Sequence, residues 1–240
     1  MDRRTARTKV FEIEGRWLMG RVMPLKLMDG IRDRLRTAAP GREDELTDAV
    51  AERAEQLVAQ DTDLVVDGPS RGMHVLSATV LAAHETLLPV LDGDPERVIA
   101  FLRQTFGSVL ERSVELAAKA LRHWDDPLDA LDSACRAGFA MYGEFFAIEF
   151  DRVDDDTFDM RVGRCFFFAY FTRHGLPRLT TVLCAWDANW MQALDPAATG
   201  LVSDRVSLLS TGDDLCCFRV LRTTDPLAAH HDALTEGRRG

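Results

Sequence analysis

The sequence predicts an α+β fold in which a helical N-terminal half packs on one face of a four-stranded antiparallel sheet. Three observations lead to this prediction. Apolar residues recur three and four positions apart through about the first 125 residues, and near residue 146 they begin to alternate with polar residues. Four later segments are predicted to be strands. A pair of helical stretches separates these four segments into two hairpins. Helices and strands that are segregated along the chain are typical of α+β proteins.

The N-terminal half is predicted to contain four helices. They cover residues 23–38, 43–60, 73–91 and 92–124. The third is apolar on most faces, which places it at the centre of the helical half. The fourth opens with Asp94-Pro95-Glu96, where an acid precedes a proline at the first helical position. That combination is a strong signal for a helix start.

The second half is predicted to mix helices and strands. A helix over 126–143 again opens with Asp-Pro. There follow strands around 146–151 and over 157–165, helices over 165–174 and 177–194, and strands over 200–210 and 214–223. The first strand is indicated by Phe146, Ile148 and Phe150, which alternate with small or acidic residues. The polar tail from residue 225 is expected to fray.

The composition excludes several classes of protein. A net charge of -10 and a pI near 5.1 give a surface that repels phosphate backbones, so no nucleic-acid partner is expected. No apolar run approaches the roughly 20 residues that cross a bilayer, and the charged N-terminus lacks the apolar core of a secretory signal. The five cysteines are an odd number, which favours free thiols. We therefore expect a cytoplasmic protein without disulfides or membrane attachment.

The stretch from Arg164 to Trp190 places reactive side chains in an apolar background. Cys184 and Asp187 lie three positions apart, so a helix presents them on one face. An unpaired buried carboxylate is costly, so Asp187 needs a partner, and Arg164 at the end of the preceding strand is the candidate. Two interpretations stay open: a structural ion pair, or a functional acid in a pocket.

The cysteines allow three interpretations. Each is a small apolar residue in a core, a nucleophile activated by a neighbouring charge, or a metal ligand. The metal ligands would be Cys165, Cys184, Cys217 and His174. The chain has no paired C-x-x-C, however, so we expect neither a metal nor another cofactor. Because adjacent strand residues point to opposite faces, at most one of Cys216 and Cys217 faces a pocket.

Several spaced motifs resemble the L-2-amino-thiazoline-4-carboxylic acid hydrolase family. They are Arg164-Cys165, a short aromatic helix, Gly175-Leu176-Pro177, Cys184-x-x-Asp187, and Gly212-Asp213 followed by Cys217-Phe218 on the last strand. The likeness covers roughly residues 75–222. The closing motif also resembles the small-molecule-binding V4R domains, which share a fold of helices against an antiparallel sheet with trafficking-complex subunits. The resemblance divides the chain into a helical N-terminal extension (1–70), a hydrolase-like domain (71–224) and a polar tail (225–240).

The resemblance implies hydrolytic opening of a five-membered thiazoline ring that bears a carboxylate, on the route to cysteine. Asp187 would act as the base or hold the amidine nitrogen. Cys184 or Cys165 would be the nucleophile if its pKa is depressed, and Arg164 would clamp the substrate carboxylate. The pocket, between the two helices of the pair and the last strand, would also use His174, Phe168, Trp186 and Cys217.

Two other functions fit the same pocket. One is a tailoring enzyme of specialised metabolism that catalyses a different ring reaction, such as a cyclisation, with Asp187 as acid or base. The other is a non-catalytic module that binds a small molecule. The phenylalanines of residues 166–171 suit a larger apolar ligand at least as well as a small amino-acid ring. No output domain is recognisable, which favours the enzyme, and the N-terminal helices either mediate a homodimer or complete the core.

Overall fold

The computed structural model describes residues 16–234, over which it shows ten α-helices and one five-stranded sheet. The first half contains α1 (Met23–Ala38), α2 (Glu43–Val58), α3 (Gly68–Leu87), α4 (Pro95–Gly107), α5 (Glu111–Lys119) and α6 (Pro127–Gly138). The second half contains β1 (Ala147–Arg152), β2 (Thr157–Arg164), α7 (Phe166–Arg173), α8 (Thr180–Cys184), α9 (Ala188–Ala193), α10 (Pro196–Thr199), β3 (Leu201–Ser207), β4 (Cys216–Arg222) and β5 (His231–Asp232). A π-helical turn, Leu18–Val22, leads into α1, and 3₁₀ turns include Phe139–Tyr142 and Ala185–Asp187.

Helix α4 shows how the local sequence sets a helix start. The Asp94 carboxylate accepts hydrogen bonds from the main-chain nitrogens of Glu96, at 2.9 Å, and Arg97, at 3.3 Å, so the predicted cap is confirmed. The prediction of one continuous helix over 92–124 is wrong. Helix α4 ends early, and Leu110 adopts a φ of 58° before α5 begins. A residue in the left-handed region cannot continue a right-handed helix.

The sheet has the strand order β1-β2-β4-β3-β5, and its first four strands pair antiparallel. The four predicted strands and their two hairpins are thereby confirmed. Strand β5 is a correction, because it runs parallel to β3 within the tail that was expected to fray. The main-chain nitrogen of Ala233 donates to the carbonyl of Arg205, and that of His231 donates to Oδ1 of Asp204, both at 3.1 Å. Polar composition does not reveal such pairing, because the main chain of any residue supplies it.

The two faces of the sheet differ in chemistry. One face carries the buried side chains of Phe158, Met160 and Val162 from β2 and of Cys216, Phe218 and Val220 from β4. The other carries Asp159, whose carboxylate accepts two hydrogen bonds of 2.8 Å from Arg219. Among the described residues, apolar side chains from α5, α6 and α9 pack on the apolar face. The helices therefore cover one face of the sheet, as predicted.

Two apolar clusters form the core of the described residues. The first joins helices α1 to α4 with α7, and the second joins the apolar face of the sheet with α5, α6 and α9. Leu27, Ile31 and Leu35 of α1 are fully buried in the first cluster. Helices α1 and α2 thus share a core with the helices that follow them.

The composition led to expectations about the cysteines and about membrane-spanning helices. All five cysteines are free thiols, as expected. Between residues 16 and 234, no helix has both the length and the apolar character needed to cross a membrane.

Candidate functional site

A cavity lies where the two apolar clusters meet. The helical cluster contributes Met19, Met23, Leu76 and Phe106, and the sheet cluster contributes Phe139, Met160, Leu208 and Phe218. Its remaining lining includes Tyr142, Phe146, Cys165, Phe167, Cys184, Trp186, Asp187 and Cys216. Concave sites with apolar walls and few polar groups are typical binding sites for small molecules.

The π-helical turn before α1 forms one wall of the cavity. This turn approaches α3 so closely that a Cβ atom added to Gly20 would lie 3.1 Å from the Cα of Gly72. Only two glycines allow the main chains to meet in this way. The approach brings the neighbouring Met19 side chain into the cavity wall.

A second wall is held in place by Asp67. Its Oδ1 caps α3 by accepting from the main-chain nitrogen of Ser70 at 2.7 Å, and its Oδ2 accepts from that of Glu144 at 2.6 Å. Gly143, with a φ of 66°, makes the turn that the Asp67 carboxylate fills. This contact fixes the segment that carries Tyr142 into the cavity.

Aromatic rings form a continuous side of the cavity. Ring centroids lie 5.0 Å apart between Phe139 and Tyr142, 4.9 Å between Tyr142 and Phe146, and 5.9 Å between Phe146 and Phe167. We call these four residues the aromatic wall. Contacts between rings at these separations are favourable beyond the area they bury, so the wall is a rigid surface.

Cys184 and Asp187 both face the cavity, which confirms the prediction that they share one face. Cys184 ends α8, and Asp187 ends the 3₁₀ turn that follows. Because side chains three positions apart eclipse in a 3₁₀ turn, the turn aligns the two residues. Trp186 also lines the cavity, and its indole Nε1 donates to the carbonyl of Val109 at 2.7 Å.

Asp187 is an acid in apolar surroundings. Burial raises its pKa to about 6; the nearby Arg205 guanidinium opposes this rise and the Asp232 carboxylate adds to it. The Asp187 side chain is part of the cavity lining, where a ligand can reach it. A carboxyl group with a pKa near neutrality can both accept and return a proton.

Arg205 is the residue that sequence reasoning missed. Its side chain is completely buried, and Nη1 donates to the carbonyl of Cys184 at 3.0 Å. Nε lies 3.4 Å from Asp232, and the guanidinium sits 5.5 Å from the ring centroid of Phe218. A signal was present, because the period of two along β3 places Arg205 on the same face as the buried Leu201.

Three thiols line the cavity, and all of them are held in the protonated form. Burial raises the pKa of Cys184 to about 12 and that of Cys216 to about 11, and it also raises the pKa of Cys165. A thiolate, rather than a thiol, is the nucleophilic species. The surroundings of these cysteines therefore oppose nucleophilic attack at neutral pH.

The chain was compared with known protein families. The family model of L-2-amino-thiazoline-4-carboxylic acid hydrolase matches residues 73–220, which is more than half of the chain. The chain belongs to this family. No curated protein matches it. The matched region of this thiazoline-hydrolase-family protein contains the aromatic wall, Asp187 and Arg205, whereas Met19 and Met23 of the cavity lining lie before it.

The predicted pairing of Arg164 with Asp187 is wrong. Arg164 lies exposed at the end of β2, where Nε donates to the carbonyl of Phe145 at 2.5 Å and Nη2 donates to that of Glu144 at 3.1 Å. The arginine near the Asp187 carboxylate is Arg205 and not Arg164. Arg164 is thus unsuited to clamp a carboxylate inside the cavity.

His174 also lies away from the cavity. Its Nε2 is 2.9 Å from Oδ2 of Asp61, and its ring packs at 4.7 Å from that of Tyr170. The neighbouring Arg173 donates to Asp61 at 3.1 Å and to both oxygens of Asp63. This group ties the end of α7 to the turn between α2 and α3, and it has no contact with the cavity lining in the described residues.

Cys217 and Phe168, which were predicted to contact the ligand, are not among the residues that line the cavity. Cys217 lies on the polar face of the sheet beside Arg161, and Cys216 faces the cavity in its place. Because side chains alternate along β4, at most one of the two cysteines can face the cavity, but alternation does not decide which one does. Phe168 lines a surface groove beside Pro177, while Phe167 takes its expected position in the cavity.

The proposed ligand set for a metal is not brought together. Cys165 and Cys184 line the cavity, but Cys217 and His174 lie in the separate places described above. Within the described part of the chain, no group of three His, Cys, Asp or Glu side chains is arranged to hold a metal ion.

Proposed function

We propose that this protein is a hydrolase that opens the ring of a thiazoline-type cyclic amidine, with Asp187 as its general base. The observation that carries the proposal is the Asp187 carboxyl group, which faces an apolar cavity with a pKa of about 6. Membership of the thiazoline-4-carboxylic acid hydrolase family supports the reaction class. At neutral pH most of this carboxyl group is ionised and ready to accept a proton.

The reaction needs one water and one residue that carries a proton. Asp187 takes a proton from water as the water oxygen forms a bond to the amidine carbon. The electron pair of the C=N bond moves to the ring nitrogen, which takes this proton from Asp187. The ring C–N bond then breaks and the nitrogen keeps the electron pair, while the hydroxyl group on the former amidine carbon gives its proton to the nitrogen through Asp187 and becomes a carbonyl oxygen. The overall reaction adds one water to the substrate, and Asp187 ends in the ionised form in which it began.

We assign the attack to water and not to a thiol. Cys184 and Cys165 were the candidate nucleophiles, but burial raises the pKa of both. The guanidinium of Arg205 favours the thiolate of Cys184, but burial outweighs it. In this proposal the two cysteines shape the cavity, and Arg205 holds the segment that carries Asp187.

The test is to incubate the purified protein with L-2-amino-thiazoline-4-carboxylate and to follow the gain of one water by mass spectrometry. Asp187→Asn should abolish turnover, because an amide cannot accept the proton. Asp48→Asn is the matched control, since Asp48 lies exposed on α2. Cys184→Ala should keep most of the activity, as should Cys135→Ala, whose residue packs in the sheet cluster outside the cavity lining.

Three outcomes discriminate between the functions. Full activity of Asp187→Asn would remove the acid from the mechanism, and loss of activity in Cys184→Ala alone would restore the thiol as nucleophile. Binding without turnover by the wild type would favour the non-catalytic binding module, for which the aromatic wall is a suitable surface.

A further inference from the structure

Thr180 carries a buried hydroxyl group without a partner. The residue begins α8, lines the cavity and is only 2% exposed, and its Oγ1 has no hydrogen-bond partner among residues 16–234. A buried hydroxyl group that makes no hydrogen bond costs free energy. Valine has the same shape and would avoid this cost, so packing alone does not explain a threonine at this position.

Two other buried threonines show how a helix usually satisfies this side chain. Thr105 donates to the main-chain carbonyl of Phe101 at 2.8 Å, and Thr181 donates to that of Arg178 at 2.7 Å. Such bonds to the preceding turn are the common arrangement for threonine in helices. The hydroxyl group of Thr180 makes no such bond, so its proton is available to an acceptor on a ligand.

The cavity offers no cation to a substrate carboxylate. Among its described lining residues, Asp187 is the one side chain that carries a formal charge, and Arg205 is fully buried outside this lining. A carboxylate in the cavity therefore depends on neutral donors, and repulsion from Asp187 favours a position far from that residue. The thiols that line the cavity are weak donors, whereas a hydroxyl group donates well to a charged acceptor.

Thr180 and Asp187 lie at the two ends of one row of side chains. Thr180, Cys184 and Asp187 are four and three positions apart along α8 and the 3₁₀ turn, and all three line the cavity. Rises of about 1.5 Å per residue in α8 and about 2.0 Å in the turn separate the two ends by about 12 Å. In L-2-amino-thiazoline-4-carboxylate the amino group and the carboxylate lie about 5–6 Å apart across the ring, and a hydrogen bond of about 2.8 Å at each end gives a comparable span.

We propose that the hydroxyl group of Thr180 donates a hydrogen bond to the carboxylate of the substrate and thereby places the amidine beside Asp187. This inference rests on the proposed function for the identity of the ring. It makes Thr180 a residue that binds substrate and selects for a carboxylate. The hydroxyl group takes no part in the proton transfers, so its loss should affect substrate binding more than the turnover of bound substrate.

The test removes the hydroxyl group and the carboxylate one at a time. Titration calorimetry compares L-2-amino-thiazoline-4-carboxylate with 2-amino-2-thiazoline, which lacks the carboxylate. The two probes are titrated into full-length Asp187→Asn, which keeps them intact, and into the same chain with Thr180→Val added. Thr180→Val should weaken binding of the carboxylate probe by about tenfold and leave binding of the other probe unchanged.

Thr181→Val is the matched control, since Thr181 lines the surface groove instead of the cavity. It should leave binding of both probes unchanged and lower the midpoint of urea denaturation, because its bond to Arg178 is lost. Thr180→Val should keep or raise this midpoint, because its hydroxyl group had no partner. Three results would overturn the role of Thr180: equal effects of the two changes on binding, an equal loss of both probes in Thr180→Val, or no binding of the carboxylate probe.

Binding and turnover separate this inference from the proposed function. In the chain that keeps Asp187, Thr180→Val should raise the KM for L-2-amino-thiazoline-4-carboxylate about tenfold and change kcat by less than about threefold. If Thr180→Val opens the ring with an unchanged KM, the hydrolytic function stands and the role of Thr180 fails. If the carboxylate probe binds through Thr180 and the wild type does not open it, the role of Thr180 stands and the hydrolytic function fails.

Discussion

Nη1 of Arg205 donates a hydrogen bond of 3.0 Å to the main-chain carbonyl of Cys184. This bond joins β3 to the end of α8, immediately before the 3₁₀ turn that carries Asp187. The same guanidinium lowers the pKa of Asp187 against the effect of burial. One buried cation thus sets both the position and the proton affinity of the candidate acid.

Arg205→Met should lower the free energy of unfolding by about 3–5 kcal/mol, because it leaves buried partners of the guanidinium without their charge-assisted contacts. Urea denaturation gives this value directly. Arg36→Met is the control, since Arg36 pairs with Asp33 at 3.1 Å on an exposed surface, where such pairs contribute less than about 1 kcal/mol. A cost for Arg205→Met no larger than that of the control would show that the buried guanidinium does not hold the turn.

The raised pKa of Asp187 makes stability depend on pH. Because the folded protein holds this proton more tightly than the unfolded chain, its contribution is greatest below about pH 4 and is lost as the pH rises to about 6. Asp187→Asn removes the dependence. The stability of this variant relative to wild type should therefore increase between about pH 4 and pH 6, by up to about 3 kcal/mol.

Urea denaturation of both proteins across this pH range measures the effect. The charged and titratable groups around the acid are Arg205, Asp232, Tyr142 and the cavity cysteines, and all of these remain in the variant. Asp48→Asn, which changes an exposed acid, should give a curve parallel to that of wild type. A parallel curve for Asp187→Asn would contradict the raised pKa.

His174→Gln should leave the binding of L-2-amino-thiazoline-4-carboxylate unchanged and should lower the free energy of unfolding by about 1 kcal/mol. The side chain bonds to Asp61 at 2.9 Å and lies outside the cavity, so its loss weakens the connection between α7 and the turn after α2. Titration calorimetry and urea denaturation measure the two quantities. His123→Gln, at an exposed position, is the control. A tenfold loss of binding in His174→Gln would return this residue to the ligand site.

The parts of the fold that could be predicted are those set by local sequence. Helix α1 has the bounds that its apolar spacing predicts, and the Asp94 cap marks the start of α4. The strands followed from alternation, and spacing alone placed Cys184 and Asp187 on one face. Each of these features depends on residues that lie within a few positions of one another.

The features that could not be predicted depend on contacts between distant segments. Strand β5 exists because the tail returns to β3, and the choice of Cys216 over Cys217 depends on which face of β4 meets the helices. Arg164 and Arg205 stand at comparable distances from Asp187 along the chain, and the burial of Arg205 reflects its position in the assembled sheet. The period of two along β3 marks Arg205 as a residue of the buried face, but only the assembled sheet brings it near Asp187.

The position of Asp67 in the chain bears on which fragment of the protein could keep the cavity. The family match starts at residue 73, inside α3, whereas the carboxylate that caps α3 and holds Glu144 lies six positions earlier. A fragment that began at the first matched residue would lack this cap, the Met19 side of the cavity and the covering helices α1 and α2. The stretch that the family model matches is therefore shorter than the set of residues that lines and covers the cavity.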